Sequence, residues 1–228
     1  MGLPNDKTEN KHIHHLSIPI HIEYEECLKK IYPGRLPPDT AILKKIVDEA
    51  ENLVDPQSLY RMAWVGSVRT VEVMIDKIRF RGSLLPEKLH KSCIVFPYIL
   101  TLGQRLDHRI TAAADSLLEQ YYFDQIGNIL LRQCSTFLES HLKKSYTIKQ
   151  LSSISPGSLI DWPIEEQKSL FSLFGDTQKL IGVHLTSQML MIPKKSLSGI
   201  FFPSQEKFVA CSLCPRKDCQ ERSVPFKF

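Results

Sequence analysis

The chain has 228 residues, 43% of them hydrophobic and 24% charged, with a formal net charge of +4. Those values belong to an ordinary folded protein of one large or two small domains. The basic pairs Lys29-Lys30, Lys44-Lys45, Lys143-Lys144 and Lys194-Lys195 are scattered, so the charge argues against a nucleic-acid binder. The polar start Met1 to Lys7 lacks a signal-peptide core, and the longest apolar run, Cys93 to Leu102, is too short for a membrane span, so the expected setting is the cytoplasm.

Residues 1–15, with His12, His14 and His15 close together, read as a flexible solvated tail, a metal role for the histidines being the lesser alternative. Ser17 to Glu23 alternates Ile18, Ile20 and Ile22 with polar residues, which predicts an edge strand marked by Pro19. Asp39 after Pro37-Pro38 is a helix N-cap, and Ile42, Leu43, Ile46, Ala50 and Leu53 give the following helix one buried stripe. Val68 to Phe80 reads as a strand with Val71, Val73 and Ile75 on one face, ended by the turn Arg81-Gly82-Ser83. Ser92 to Leu100 predicts a buried strand despite Pro97.

Two helices are expected next, Gln104 to Glu119 and Tyr121 to Lys144, the second lined by Ile126, Leu130, Cys134, Phe137, Leu138 and His141. Leu151 to Ser158 reads as a small-residue loop. Pro163 with Glu165 and Glu166 opens a helix that Gly175 closes. Val183 to Met191, Ser196 to Phe202 and Phe208 to Ala210 read as strands. The fold class is α+β, an antiparallel sheet with covering helices. The expected division is a tail over 1–15, a body over 16–210 and a cysteine-rich tail over 211–228.

Several short segments recur in order through the second half. They are Ser155-Pro156-Gly157, Trp162-Pro163-Ile164-Glu165-Glu166-Gln167, Leu170-Phe171, Ile181 to Ser187, Met191-Ile192-Pro193 and Lys195 to Ile200, preceded by Thr101-Leu102-Gly103 and Asp124 to Gly127. In this order they resemble the S-adenosylmethionine-binding reactivation domain of cobalamin-dependent methionine synthase, and in particular its short free-standing forms. The likeness covers most of residues 90–202. It implies an activation-domain-like fold and an accessory role in recovering a corrinoid cofactor that has slipped to cob(II)alamin. Recovery takes one electron, from a partner such as flavodoxin or a reductase, and a methyl group from S-adenosylmethionine. The corrinoid belongs to a partner, methionine synthase or another corrinoid-binding protein, and this chain contributes positioning.

Carried over by position, the resemblance implies donor contacts at Glu139, Ser155, Pro156, Gly157, Ser158 and Phe208. It departs from the pattern at Ser153, where the family has an Arg, at Ser158 and Phe208, where it has Tyr, and at Ser135, where it has Glu. A guanidinium holds a carboxylate through two parallel charge-assisted bonds, which a serine cannot do. The alternative is therefore a docking module for a corrinoid protein that does not use the donor, or a small electron-transfer protein with a metal centre.

Cys211, Cys214 and Cys219 are spaced C-x2-C-x4-C. Thiolates at such spacing can wrap an iron–sulfur cluster or a structural zinc, with Cys27, Cys93, Cys134, a histidine or a partner residue as fourth ligand. Asp107, His108 and Arg109 read as solvated surface, His184 as a strand residue near the ligand-facing region, and Trp162 and Phe171 as core. Ser155 and Ser158 belong to no visible Ser/His/Asp arrangement.

Overall fold

The computed structural model describes residues 13–35, 40–216, 219, 222 and 224–226. His12 and the capping sequence Pro37-Pro38-Asp39 lie outside them. In chain order the strands are β1 (His14–Ser17), β2 (Gln57–Tyr60), β3 (Ala63–Arg69), β4 (Glu72–Ile75), β5 (Ile78–Arg81), β6 (Ile94–Thr101), β7 (Leu151–Ile154), β8 (His184–Leu185), β9 (Met191–Ile192) and β10 (Ser196–Pro203). The helices are α1 (Tyr24–Ile31), α2 (Thr40–Leu53), α3 (Leu84–Leu89), α4 (Gln104–Ala112), α5 (Leu117–Ser145), α6 (Gln167–Ser172) and α7 (Thr177–Ile181).

Eight strands form one antiparallel sheet around β6. One edge of β6 takes β10, and β10 in turn takes β7. The other edge is shared end to end by β2, opposite Tyr98 to Thr101, and β3, opposite Ile94 and Val95. From there β2 leads to β1 and β3 leads to the β4–β5 meander. The strands β8 and β9 form a separate hairpin. The fold class is the one the residue pattern predicts.

Pro97 sits in the middle of this central strand, where a missing N–H normally breaks a ladder. Its carbonyl accepts from Arg61 N at 3.2 Å, so its nitrogen faces the same side. That side is the junction where β2 has ended and β3 has not begun, so no ladder bond is lost.

Alternation along β6 and β10 divides the interior in two. Phe96, Tyr98, Leu100 and Phe201 face a core completed by Leu43, Ile46, Ala50, Phe123, Ile126, Leu130, Cys134 and Leu138 from α2 and α5. Val95, Ile99, Ile200 and Phe202 face a second core built by Val73, Ile75, Phe80, the α3 leucines, Trp162, Leu170 and Phe174. Burial pushes the Cys27 thiol to about 11 and the Cys134 thiol to about 12, as inert core thiols.

Several predicted elements move. The N-terminal strand is His14–Ser17, not 17–23, so His14 and His15 leave the tail: they pair with Tyr60 and Leu59, and the His14 ring stacks on Tyr60 at 4.8 Å. Ile18 and Ile22 are core residues of an irregular segment. The single strand expected over 68–80 is a three-stranded meander, because Asp76 and Lys77 adopt positive φ and turn the chain between Ile75 and Ile78. Leu151–Ile154 is a strand rather than loop, and Val183 to Met191 is a hairpin. Phe208 to Ala210 forms no strand, and Ala210–Ser212 is a 3-10 turn. No helix among the described residues is long and apolar enough to cross a membrane.

Two of the family-like segments meet in one packing device. Lys195, its side chain only 9% exposed, lays its methylenes over Gly127 of α5 and reaches Asp124 and Asn128 at 2.7 Å each. Alanine at 127 would place its Cβ 2.9 to 3.2 Å from three of those methylene carbons. The gain in helix propensity is about 1 kcal/mol, and the strain of overpacking is of the order of 1–3 kcal/mol. Gly127→Ala is therefore expected to destabilise by about 1 kcal/mol in urea denaturation. In a Lys195→Ala background the same substitution should stabilise; stabilisation in the parent chain would rule the strap out.

Candidate functional site

The Ser155–Ser158 turn follows β7 at the edge of the sheet. Pro156 at the second position and Gly157, φ +77°, at the third suit a type II turn, closed by Ser158 N donating to Ser155 O at 3.1 Å. The Ser158 hydroxyl donates to the same carbonyl at 2.6 Å. Gly157 N donates to Trp162 O at 2.8 Å, and a Cβ at Gly157 would lie 2.6 Å from Ile164. The Trp-Pro-Ile segment thus holds the turn shut from behind, and the amides of Gly157 and Ser158 are both spent inside it.

Leu151 belongs to the core under α5 and Ile154 to the opposite one, so by alternation Ser153 and Ser155 point toward α5. There Ser155 meets Tyr98 of β6. Burial pushes the Tyr98 hydroxyl up to about 12, while Ser155 and Ser135 of α5, which face it, pull the other way. Phe201 stacks on the Tyr98 ring at 4.6 Å. Gly199, paired with Tyr98, makes room: a Cβ there would stand 2.8 Å from Ser155 Oγ and 3.0 Å from the Tyr98 hydroxyl.

One turn along α5 from Ser135, Glu139 is 17% exposed and held by Lys143 at 2.7 Å and Lys207 at 3.2 Å. Burial pushes its carboxyl upward, but the two ammonium groups outweigh that and leave it below the ordinary value. Lys207 arrives because the chain after β10 folds back over β7: Ser204 N donates to Gln150 O at 3.2 Å, and Ser152 Oγ accepts from Phe208 N at 2.7 Å.

The structure therefore gathers Ser155 with Ser135 and Tyr98, and Glu139 with Lys207, on the α5 side of the sheet. Phe208 goes elsewhere. It packs on the opposite core, with Lys88 Nζ 4.6 Å from its ring centroid. Tyr98 and Lys207 carry no sequence signal for this site. Tyr98 is one apolar-looking residue inside a strand, and Lys207 depends on a reversal that its local sequence does not mark.

The three tail cysteines are not assembled for a metal. No group of three His, Cys, Asp or Glu among the described residues is placed to hold one, and none of the six cysteines is disulfide-bonded. The turn is organised instead by Arg222, whose guanidinium donates to the carbonyls of Cys211 at 2.8 Å, Cys214 at 3.0 Å and Arg216. Cys214 packs on the second core. The Arg222 contacts engage the carbonyls of the turn and leave the thiols aside.

The other groups singled out by sequence are structural. Arg109 ties Glu49 of α2, at 2.6 Å, to Glu119 of α5, at 2.9 Å, across the Phe123 ring. His184 pairs with Gln178 at 2.6 Å on the surface, while Trp162 and Phe171 are core.

No protein-family model and no curated protein matches the sequence. Among solved structures, the fold is similar to the crystal structure of the MetH reactivation domain bound to AdoHcy. The TM-score is 0.59 at 14% identity, over 87% of this chain and 81% of that one. At that identity the likeness establishes the fold.

Because the Glu139 carboxyl is held below its ordinary value, the stability it contributes is complete above that ordinary value and lost as pH falls through the lowered one. Glu139→Gln should cost about 1 kcal/mol at neutral pH. The gap between variant and parent in denaturation should close below about pH 4; a gap independent of pH would show that the two lysines do not set its charge.

Proposed function

We propose that this protein is an accessory of a corrinoid-dependent methyltransferase such as methionine synthase, docking on it and supporting reductive reactivation of its cofactor with S-adenosylmethionine as methyl donor. The observation that carries this reading is the shared architecture with the MetH reactivation domain over most of both chains. The segments that prompted the same reading, Asp124 to Gly127, Ser155 to Gly157 and Lys195 to Ile200, are the ones that pack the strap and shape the turn. The hard chemistry belongs to the partner's corrinoid, which takes up one electron from a reduced partner and the donor's methyl group.

In this reading the donor lies over the polar strip on the α5 side. Glu139 receives its ammonium, and Lys207 supplies the cation that Ser153 lacks for its carboxylate. The hydroxyls of Ser135, Tyr98 and Ser155 hold the remaining polar edge, and Tyr98 is buried against Phe201 beneath it.

A second reading is favoured by one observation: the Gly157 and Ser158 amides already donate within the turn. The protein would then dock on a corrinoid protein and shield it without engaging the donor.

The test is recovery of a methyltransferase trapped as cob(II), with S-adenosylmethionine and a reductant present, followed by the visible spectrum of the cofactor. Conversion to the methylated form that requires this protein, slowed roughly tenfold by Glu139→Gln, is the expected outcome. Complex formation without conversion would favour the docking reading, and neither would sink both.

A further inference from the structure

The β3–β5 meander carries a second, unrelated surface. Its inner face sends Val73, Ile75 and Phe80 into the core. On the outer face Trp64 stands 61% exposed, although its backbone is locked: Trp64 N donates to Asp76 Oδ1 at 2.8 Å and its carbonyl accepts from Asp76 N at 3.1 Å. Asp76 is in turn clamped by Arg61 at 2.7 Å, and Arg61 is anchored to Leu173 O at 2.8 Å. A large apolar ring is thus presented to solvent from a backbone held at both its N–H and its carbonyl.

Beside the indole lies a recess of about 440 Å³ lined by Arg61, Trp64, Gly66, Asp76 and Lys77. The ladder shifts register between Val65 and Val68, and such a bulge re-aims the side chains next to it. Gly66 then faces Met74 with ordinary clearance, 3.4 Å from an added Cβ, so the recess is open because this position has no side chain. Lys77 lines it, and Arg69 and Arg79 share the meander's outer face, paired with Glu72 and Met74. The neighbouring carboxylate, Glu72, is shared by Arg69 at 3.0 Å and Arg79 at 3.6 Å, and Asp76 is offset by Arg61. Against the two carboxylates Glu72 and Asp76, this face carries the four cations Arg61, Arg69, Lys77 and Arg79, an excess of two.

We propose that this face is a docking surface for an acidic protein segment, which inserts an apolar side chain beside Trp64 and sets carboxylates against Lys77, Arg69 and Arg79. Tryptophan and arginine are the residue types that dominate binding energy at protein interfaces, and a rigid anchor loses little entropy on association. The arginines, already held in place by Glu72, present their remaining N–H groups without further ordering. Carboxylates on the partner supply the complementary sign. The proposal goes beyond the reactivation reading and stands independently of it.

The chain has two tryptophans, and Trp162 is wholly buried, so quenching of its fluorescence by ions reports on Trp64. Relative to free N-acetyltryptophanamide, iodide is expected to be favoured over caesium at least roughly twofold at low salt, with that bias lost in salt of about 1 M. A synthetic peptide alternating Glu and Asp around one Phe should protect the indole from iodide and bind saturably. Its affinity should fall about tenfold in Gly66→Glu, which fills the recess with a carboxylate, and in the pair Arg69→Glu and Arg79→Glu. Thermal melting of each variant confirms that the fold is kept. An iodide-to-caesium ratio equal to that of the free indole, or peptide binding unchanged in folded variants, overturns the proposal. So does a single-stranded oligonucleotide of the same charge that binds more tightly than the peptide, since the face would then be a nucleic-acid surface.

Discussion

Strand β6 has to satisfy two different strands on one edge and one on the other while burying both of its faces, and the arrangement of the molecule follows from how it does so. The junction of β2 and β3 on a single edge is what tolerates Pro97 at the centre of a sheet. It also divides the sheet into two arms, one leading to β1 and one to the β4–β5 meander. On the other edge, β10 faces β6 through the Tyr98–Gly199 pair, and the polar strip of the candidate site grows from that pair. A single buried tyrosine hydroxyl thus connects the central strand, the long helix and the edge turn.

Much of this was legible in the residues. The α2 stripe of Leu43, Ile46 and Ala50 and the α5 stripe of Ile126, Leu130, Cys134 and Leu138 are buried as their 3.6-residue period requires. The α+β antiparallel class follows from the same patterning. The ordered segments that prompted the family resemblance have physical explanations now visible: Gly127 clears the Lys195 stem, Gly157 takes the positive φ of a type II turn, and Gly199 leaves space for two hydroxyls. Each is a close approach or a backbone conformation that glycine permits.

Other features were not legible because they depend on contacts distant in sequence. A period-2 pattern over 68–80 does not show the two turns, at Thr70–Val71 and at Asp76–Lys77, that divide it among three strands. His14 and His15 become strand residues because β2 offers them an edge, which no local propensity signals. Phe208 and Lys207 are adjacent in sequence, yet one packs on the far core and the other reaches Glu139. The cysteine spacing suggested a metal, but spacing says nothing of the Arg222 guanidinium that takes up the carbonyls of that turn. No residue pattern marks the meander's outer face, and its exposed tryptophan has meaning only once the bulge and the turn place Lys77 beside it.

The strip from Ser135 and Glu139 to Tyr98, Ser155 and Lys207 is proposed to accept a methyl donor on a reactivation-domain fold. Calorimetric titration of S-adenosylmethionine into the protein, alone and with a cob(II)alamin-loaded methyltransferase, tests it most directly. The account predicts saturable binding that strengthens in the complex and is weakened about tenfold by Lys207→Ala. No heat of binding in either condition, with the complex itself intact, would contradict it.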